Sequence, residues 1–438
     1  MKRLTTFLSF VLILSLVLSA CSGGDTTSES TEEEQSASST EAQEQESSST
    51  EKQVISIWTL QQADVNIQEA QKNAAKSFEE QFNAEVQITS FPYAQLRDKM
   101  LAAVAGNEGP DILLLDQIWV AQYAAANYVI PLDDYLANSD IKAEDYFKGA
   151  WGAGSYQNKT YAIPFDVGVW AVLYYNKDMF AAAGLDPEKP PVTWDEFMDY
   201  GTKLTANGKF GTSNWGSGGD SVNCMTNAFT VAAGGALLDD TGKKILINEE
   251  AGVKALEFWA GLSKISPPGT VGKTEEDAFT LFTSGQTAMA MYGEWGQDTI
   301  ATRSPDLNYG VANLPMPEGG ESVGTFGGFN LAINAKSKNK DLAWEFIKYS
   351  TNEENQKAIT MLTPAHTKAA SDYLNQKRKF PDIIYKQLTT ATYRPNVANY
   401  PEIADLQIQA TQKVMTGDSS AKDALQEAAD KINGLLNK

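Results

Sequence analysis

Cysteine and histidine are nearly missing from this chain of 438 residues, which has Cys21, Cys224 and the single histidine His366. No cluster of the two has metal-ligand spacing, and no Asp-x-Asp-x-Asp calcium loop occurs. A Gly-x-Ser-x-Gly elbow and a Walker loop are also missing, which weakens the case for hydrolase or nucleotide chemistry. Positive charge is scarce as well. Thirty-five Lys and Arg face 56 Asp and Glu, for a formal charge of −21, and such a surface repels phosphate backbones, so no nucleic acid is expected as a partner. The apolar stretch from Leu4 to Leu18 falls short of the roughly 20 residues that span a bilayer.

That stretch follows Lys2 and Arg3 and leads into Leu18-Ser19-Ala20-Cys21, the plan of an export signal. The tetrapeptide resembles a lipobox, in which the cysteine thiol takes a diacylglycerol and the preceding peptide is removed. On this reading 1–20 is a signal peptide, Cys21 anchors the protein to the outer face of the cell membrane, and the charge moves from −21 to −23 with the loss of Lys2 and Arg3. Cys224 is then the only thiol left, so it can form no internal disulfide, and a buried apolar place is expected for it. Residues 21–53 hold almost nothing apolar and no aromatic ring, the composition of a disordered acidic tether.

Beyond the tether the length calls for two domains. Val54 to Trp58 alternates as a strand does, Ala70 to Phe82 has helical spacing, Val86 to Ser90 is a second strand, and Tyr93 to Ala105 is a helix closed by Gly106. Ile112 to Leu115 is a short buried strand. Strand, helix, strand, helix, strand describes a parallel α/β sheet, whose ligands sit beyond the carboxyl ends of the strands. Gln61, Gln62, Asp116 and Trp119 occupy those ends. Trp170 to Tyr175 is an apolar run expected to form a strand covered on both faces, and Thr193 with Glu196 predicts a capping box.

The order of Tyr161 to Asp178, Ala183 to Leu185 and Pro191 to Phe197 resembles the extracellular solute-binding proteins of ABC importers, in the sugar-binding group to which maltose-binding protein belongs. Phe279 to Gly296, with Gly293-Glu294-Trp295, and Tyr309 to Pro317 are similar to that family too. The resemblance covers about Val54 to the end. It implies an α/β fold of two lobes with hinge crossovers and a ligand cleft between them. The expected lobes are 54–163 with 312–362, and 164–311 with 363–438. It also implies a monomeric receptor that hands a sugar or oligosaccharide to the permease subunits of an ABC transporter, with neither cofactor nor metal.

Sugar recognition needs ring faces for pyranose C–H groups and amide or carboxylate groups for hydroxyls. Trp58, Trp119, Trp215 and Trp295 lie at strand ends or in glycine-rich loops, whereas Trp194, Trp259 and Trp344 lie on helices and are expected in the core, as are Trp170, Tyr174 and Tyr175. Trp215 stands out because its neighbours are Gly and Ser. Trp295 corresponds to a sugar-stacking position of the family. Asp116 contacts ligand or caps the next helix, and Asp166 and Glu294 bind ligand or fix the hinge. Gly327 and Gly328, beside Phe329, leave backbone N–H groups approachable or simply make a turn. Arg394, with Tyr393 and Tyr400 in a segment that reaches the cleft in the family, binds ligand or pairs a carboxylate. His366, beside Pro364, is expected to be structural. Two other classes stay open: a surface-tethered glycoside hydrolase using Asp116 and Glu294, and a non-transport adhesin or sensor. A solute-binding receptor for a non-sugar ligand is a further alternative.

Overall fold

The computed structural model describes residues 52–61 and 65–437. The segment 1–20 expected as an export signal, residues 21–51 of the expected tether with Cys21, and Gln62 lie outside the described residues, and Gln53, expected in the tether, begins the first strand. The stretch Glu51–Lys438 forms one compact unit.

Strands β1 (Gln53–Leu60), β2 (Ala84–Phe91) and β3 (Ile112–Asp116) are parallel, and the helices α1 (Val65–Phe82) and α2 (Tyr93–Ala105) cross between them. The order is that of the sequence pattern, with β1 between β2 and β3. Two small strands, β4 (Ser155–Tyr156) and β5 (Lys159–Thr160), form a hairpin ahead of β6 (Ala162–Trp170). β6 and the later strands β10 (Thr325–Ile333) and β11 (Thr363–Pro364) complete a six-stranded first sheet in the order β11-β6-β10-β3-β1-β2. A second, antiparallel sheet sets β7 (Val172–Asn176) between β8 (Met289–Tyr292) and β9 (Tyr309–Ala312).

The chain therefore passes between the sheets at Ala171 and between β9 and β10, and only helices follow β11. This is the two-lobe α/β architecture that the resemblance implies. The boundaries shift, however. β6 stays paired with β10 as far as Trp170, so the first crossover falls at Ala171 and not at 163/164. The apolar run expected as one strand is thus split into the end of β6 and the start of β7. After β11 the helix Thr367–Lys377 packs on β11 and on the helix Glu353–Ile359, and its Ala370 and Leu374 join a core that takes residues from both sheets, while Lys379 N donates to Gln297 Oε1 of the second lobe. Only with Tyr400–Thr416 and Ala421–Leu436 does the chain pack onto Ser221–Ala232 and Glu250–Gly261 of the second lobe.

β7 has apolar partners on both sides, since Val172 and Tyr174 enter one core and Leu173 and Tyr175 another. The Thr193 capping box forms: its hydroxyl accepts from Glu196 N, and the Glu196 carboxylate takes the Thr193 N–H. Cys224 is a buried free thiol, pushed up by that burial. Among the described residues no helix is long and apolar enough to cross a membrane, and no group of His, Cys, Asp and Glu is placed to hold a metal ion.

Candidate functional site

The parallel strands end on the side where the first sheet meets the second lobe. Asp116, the last residue of β3, caps the short helical turn Gln117–Trp119 by accepting from Ile118 N at 3.2 Å. Its other oxygen accepts from the Tyr93 hydroxyl at 2.9 Å. Arg394 faces Asp116 at 3.7 Å and donates to Asp220 at 2.7 Å. Asp220 precedes the second-lobe helix Ser221–Ala232 and also accepts from Tyr400 and Asn223. One guanidinium thus joins a carboxylate of the first sheet to a carboxylate of the second lobe. Burial pushes Asp116 above the usual carboxylate range, and Arg394 opposes that shift. Two aspartates share the one guanidinium, so the cluster carries no surplus of positive charge.

Rings continue this surface. Tyr93 is 48% exposed, with one neighbour stacked at 5.6 Å, Trp119, and another edge-on at 6.3 Å, Phe329. Gln117 Nε2 donates to the Gly327 carbonyl, and the Trp170 indole lies so close over Gly327 that a Cβ there would come within 2.5 Å of its ring nitrogen. Trp170 meets Trp295 edge-on at 4.7 Å, and Trp295 meets Tyr292 at 5.6 Å. Trp170 and Trp295 are both half-buried. A line of rings and polar groups therefore runs from the end of β3 across β10 to the end of β8. Half-exposed aromatic faces next to charged hydrogen-bonding groups suit a small polar ligand with apolar faces.

Several residues expected to contact ligand are buried among partners within the chain. Trp119 is buried beneath Tyr93 and supports it. Trp215 is 2% exposed, packs edge-on against Trp259 at 4.8 Å, and donates its indole N–H to Ser221. The apolar partners of Trp215 come from a helix distant in sequence. Asp166 is fully buried and accepts from Phe329 N and Met361 N, tying β10 to the segment before β11; burial pushes it up to about 7. Glu294 is also fully buried and accepts from the Thr363 hydroxyl at 2.7 Å, with burial raising it too. Asp166 thus ties β6 to β10 and to Met361, and Glu294 ties the end of β8 to β11. Gly327 and Gly328 lie inside β10, not in an open loop. Gly328, at φ +126°, has the Asp166 carbonyl where a Cβ would go. Phe329 is nearly buried between Tyr93 and β6. Gln61 is exposed at the end of β1, its N–H on the Phe91 carbonyl.

Of the expected residues, the candidate surface brings together Asp116, Trp295 and Arg394, with Tyr93, Trp170 and Asp220 beside them. Tyr93 was legible as the residue after a strand end, next to Pro92, whereas Asp220 needed the fold to bring it to Arg394. Two larger hollows of the first lobe lie elsewhere. One is an apolar crevice under α1 walled by Ile57, Phe165 and Phe346, the other a polar groove beside Lys348 and His366. Neither combines ring faces with a bridge between lobes, so the chemistry favours the surface at Arg394, where a small cavity is lined by Gln117, Tyr393 and Arg394.

Residues 63–357 match the family described as bacterial extracellular solute-binding protein. The galactooligosaccharide-binding protein of Bacillus subtilis is 28% identical over 377 residues, covering 83% of this chain and 86% of that protein. The sn-glycerol-3-phosphate-binding periplasmic protein of Salmonella typhimurium is 26% identical over 371 residues, covering 79% and 84%. Among solved structures, an ABC transporter solute-binding protein of Thermotoga lettingae bound with alpha-D-tagatose superposes with a TM-score of 0.72 at 27% identity, covering 88% of this chain and all of that one. The maltose-bound MalE3 of T. maritima gives 0.70 at 26%, covering 87% and 99%. With matching sequence across both lobes and the same architecture, this chain belongs to the bacterial extracellular solute-binding proteins.

Proposed function

We propose that the protein is a lipid-anchored receptor that captures a sugar or oligosaccharide outside the cell and presents it to the permease of an ABC transporter. The observation that carries this reading is the surface on which Tyr93, Trp170 and Trp295 offer ring faces beside the Asp116–Arg394–Asp220 bridge. A pyranose stacks on the rings, and the charged groups take its hydroxyls. A ligand touching both lobes stabilises the closed state, so recognition needs no covalent step. Two carboxyl groups already share the one guanidinium, which leaves no unpaired cation there for an anionic solute such as glycerol phosphate. Carbohydrates bound by the tagatose and maltose receptors and by the galactooligosaccharide relative support the same class. Anchoring through Cys21 rests on the lipobox-like Leu18 to Cys21, and delivery to a permease on family membership.

The test is calorimetric titration with galactooligosaccharides, maltose, maltotriose, tagatose and glycerol 3-phosphate, followed by chromatography of the recovered ligand. Saturable binding of a neutral carbohydrate without cleavage products is expected. Binding of glycerol 3-phosphate alone, binding of none, or release of shorter sugars would contradict the reading.

A further inference from the structure

The segment that carries Arg394 is held to the first lobe on both sides of that residue. The Thr392 carbonyl accepts from Phe326 N, the Thr392 N–H donates to the Gly324 carbonyl, and the Asn396 amide donates to the carbonyls of Gly152 and Ser155. Arg394 so placed meets the turn Gln117–Trp119 at a cavity of about 10 Å³, room for the centre of one water-sized group. Gln117, Ile118, Tyr393 and Arg394 line it, and the half-buried Ile118 with Tyr393, 40% exposed, carry it to the protein surface. Two of these side chains each hold a buried polar atom with no hydrogen-bond partner in the chain, Gln117 Oε1 and Arg394 Nε. Gln117 is 4% exposed and Arg394 8%. The remaining polar atoms of both are taken: Gln117 Nε2 donates to the Gly327 carbonyl at 2.8 Å, and Arg394 Nη1 and Nη2 face Asp220 and Asp116. Turning the Gln117 amide over would set its oxygen against the Gly327 carbonyl, acceptor against acceptor, so Oε1 is the atom left unmatched.

A buried acceptor and a buried donor left unmatched at one cavity are each costly, and a single group repairs both if it donates and accepts at once. The amide oxygen can only accept and the guanidinium N–H can only donate. We propose that this cavity is a binding pocket for one neutral hydroxyl group, which donates to Gln117 Oε1 and accepts from Arg394 Nε. A hydroxyl of a captured carbohydrate and a water molecule offer the same chemistry here. An anion would meet the Gln117 oxygen, an ammonium group would meet the Arg394 N–H, and a methyl group would leave both atoms unmatched. Arg394 Nη1 and Nη2 carry the bridge between the first sheet and the second lobe, so a group held on Nε fixes the same guanidinium by its third edge. Gln117 is then a further binding residue of the surface that holds Tyr93, Trp170 and Trp295, and its part in recognition rests on the reading of that surface as a carbohydrate site.

Crystal structures of the protein alone and with maltotriose or a galactooligosaccharide, at a resolution that shows ordered water, test this. Without sugar, one water oxygen is expected within about 2.7 to 3.2 Å of both Gln117 Oε1 and Arg394 Nε. With sugar, a sugar oxygen in that place assigns the group to the ligand, and a retained water assigns it to solvent bridging the two side chains; either result supports the pocket. An empty pocket in both structures, an ion in it, or Oε1 and Nε bonded instead to protein atoms would overturn the proposal. The variant Gln117→Met keeps the length of the side chain and removes the acceptor. It should lose the oxygen from the pocket and bind the same sugars about tenfold more weakly, with thermal unfolding still cooperative. A Kd equal to the parent's would overturn the part of Gln117 in recognition. If the parent binds neither probe and no other neutral carbohydrate, the receptor reading falls, and the structure without sugar still decides the pocket.

Discussion

Arg394 Nη1 stands 2.7 Å from Asp220 Oδ2 while the other terminal nitrogen of the same guanidinium faces Asp116 at 3.7 Å, so a residue 8% exposed links the first sheet to the second lobe. Removing it strands two carboxylates in a largely buried place. Arg394→Met is expected to destabilise the protein by about 3 kcal/mol, read from the midpoint of urea unfolding. Adding Asp220→Asn should recover part of that loss, because the double variant buries one charge fewer. An Arg394→Met midpoint equal to the parent's would mean that the bridge contributes nothing.

The two tryptophans of the glycine-rich segments should behave oppositely. Trp215 fills the second-lobe core against Trp259, and Trp215→Ala should cost about 3 to 5 kcal/mol in unfolding free energy. Trp295 keeps one side open, so Trp295→Ala should unfold close to the parent while losing about tenfold or more in carbohydrate affinity. Melting curves and titrations on the same samples check both halves of the contrast.

Asp166 makes stability depend on pH. Its folded-state value of about 7 lies above the ordinary 3.8, so the folded chain holds a proton that the unfolded chain has released. Stability from this group is full below about pH 4 and is lost as pH rises towards 7, by up to about 4 kcal/mol. Glu275, raised to about 8, and Glu294 push in the same direction. Exposed acids held low by partners, such as Glu427 between Lys413 and Lys431, lose their stabilisation only as pH falls through the acid range. The maximum of stability should therefore lie on the acid side of neutrality, near pH 5, in unfolding measured from pH 4 to 9. For Asp166→Asn the decline between pH 5 and 8 should shrink. An unchanged decline would place its source elsewhere.

Gly328 adopts φ +126° with the Asp166 carbonyl 2.3 Å from where a Cβ would be. Neither the backbone nor that carbonyl can yield without disturbing the ladder between β6 and β10, so Gly328→Ala should destabilise by about 2 kcal/mol or more. Gly285→Ala meets open space at a positive φ and should cost less, about 1 kcal/mol. The difference between the two melting temperatures separates crowding from backbone strain.

Much of the architecture was legible in the chain because it follows from local pattern. The run Ile112 to Leu115 forms a buried strand, the Thr193 to Glu196 spacing caps a helix, and the order of elements gives the three parallel strands β1 to β3, although the other pairings of that sheet, through β10 and β11, are antiparallel. The lobe boundaries were less legible, since apolar residues continue through Ala171 and only the pairing partner changes there. For the candidate site, the rule that ligands gather at strand ends pointed to Asp116, and motif similarity pointed to Trp295 and, loosely, to Arg394. The burial of Trp119 and Trp215 was not legible, because the residues that cover them lie elsewhere in the sequence and leave no mark on their neighbours. Asp220 stayed hidden for the converse reason, since it looks like an ordinary helix-start acid until the fold sets it beside Arg394.

The central claim is that a neutral carbohydrate occupies the surface between Tyr93, Trp295 and Arg394. A crystal structure of the mature chain with the maltodextrin or galactooligosaccharide that titrates it measures this directly. The account predicts a sugar ring stacked on Trp295, with hydroxyls within hydrogen-bonding distance of Asp116 or Arg394. Sugar density confined to the apolar crevice under α1 or the groove beside His366, with the ring line empty, would contradict it.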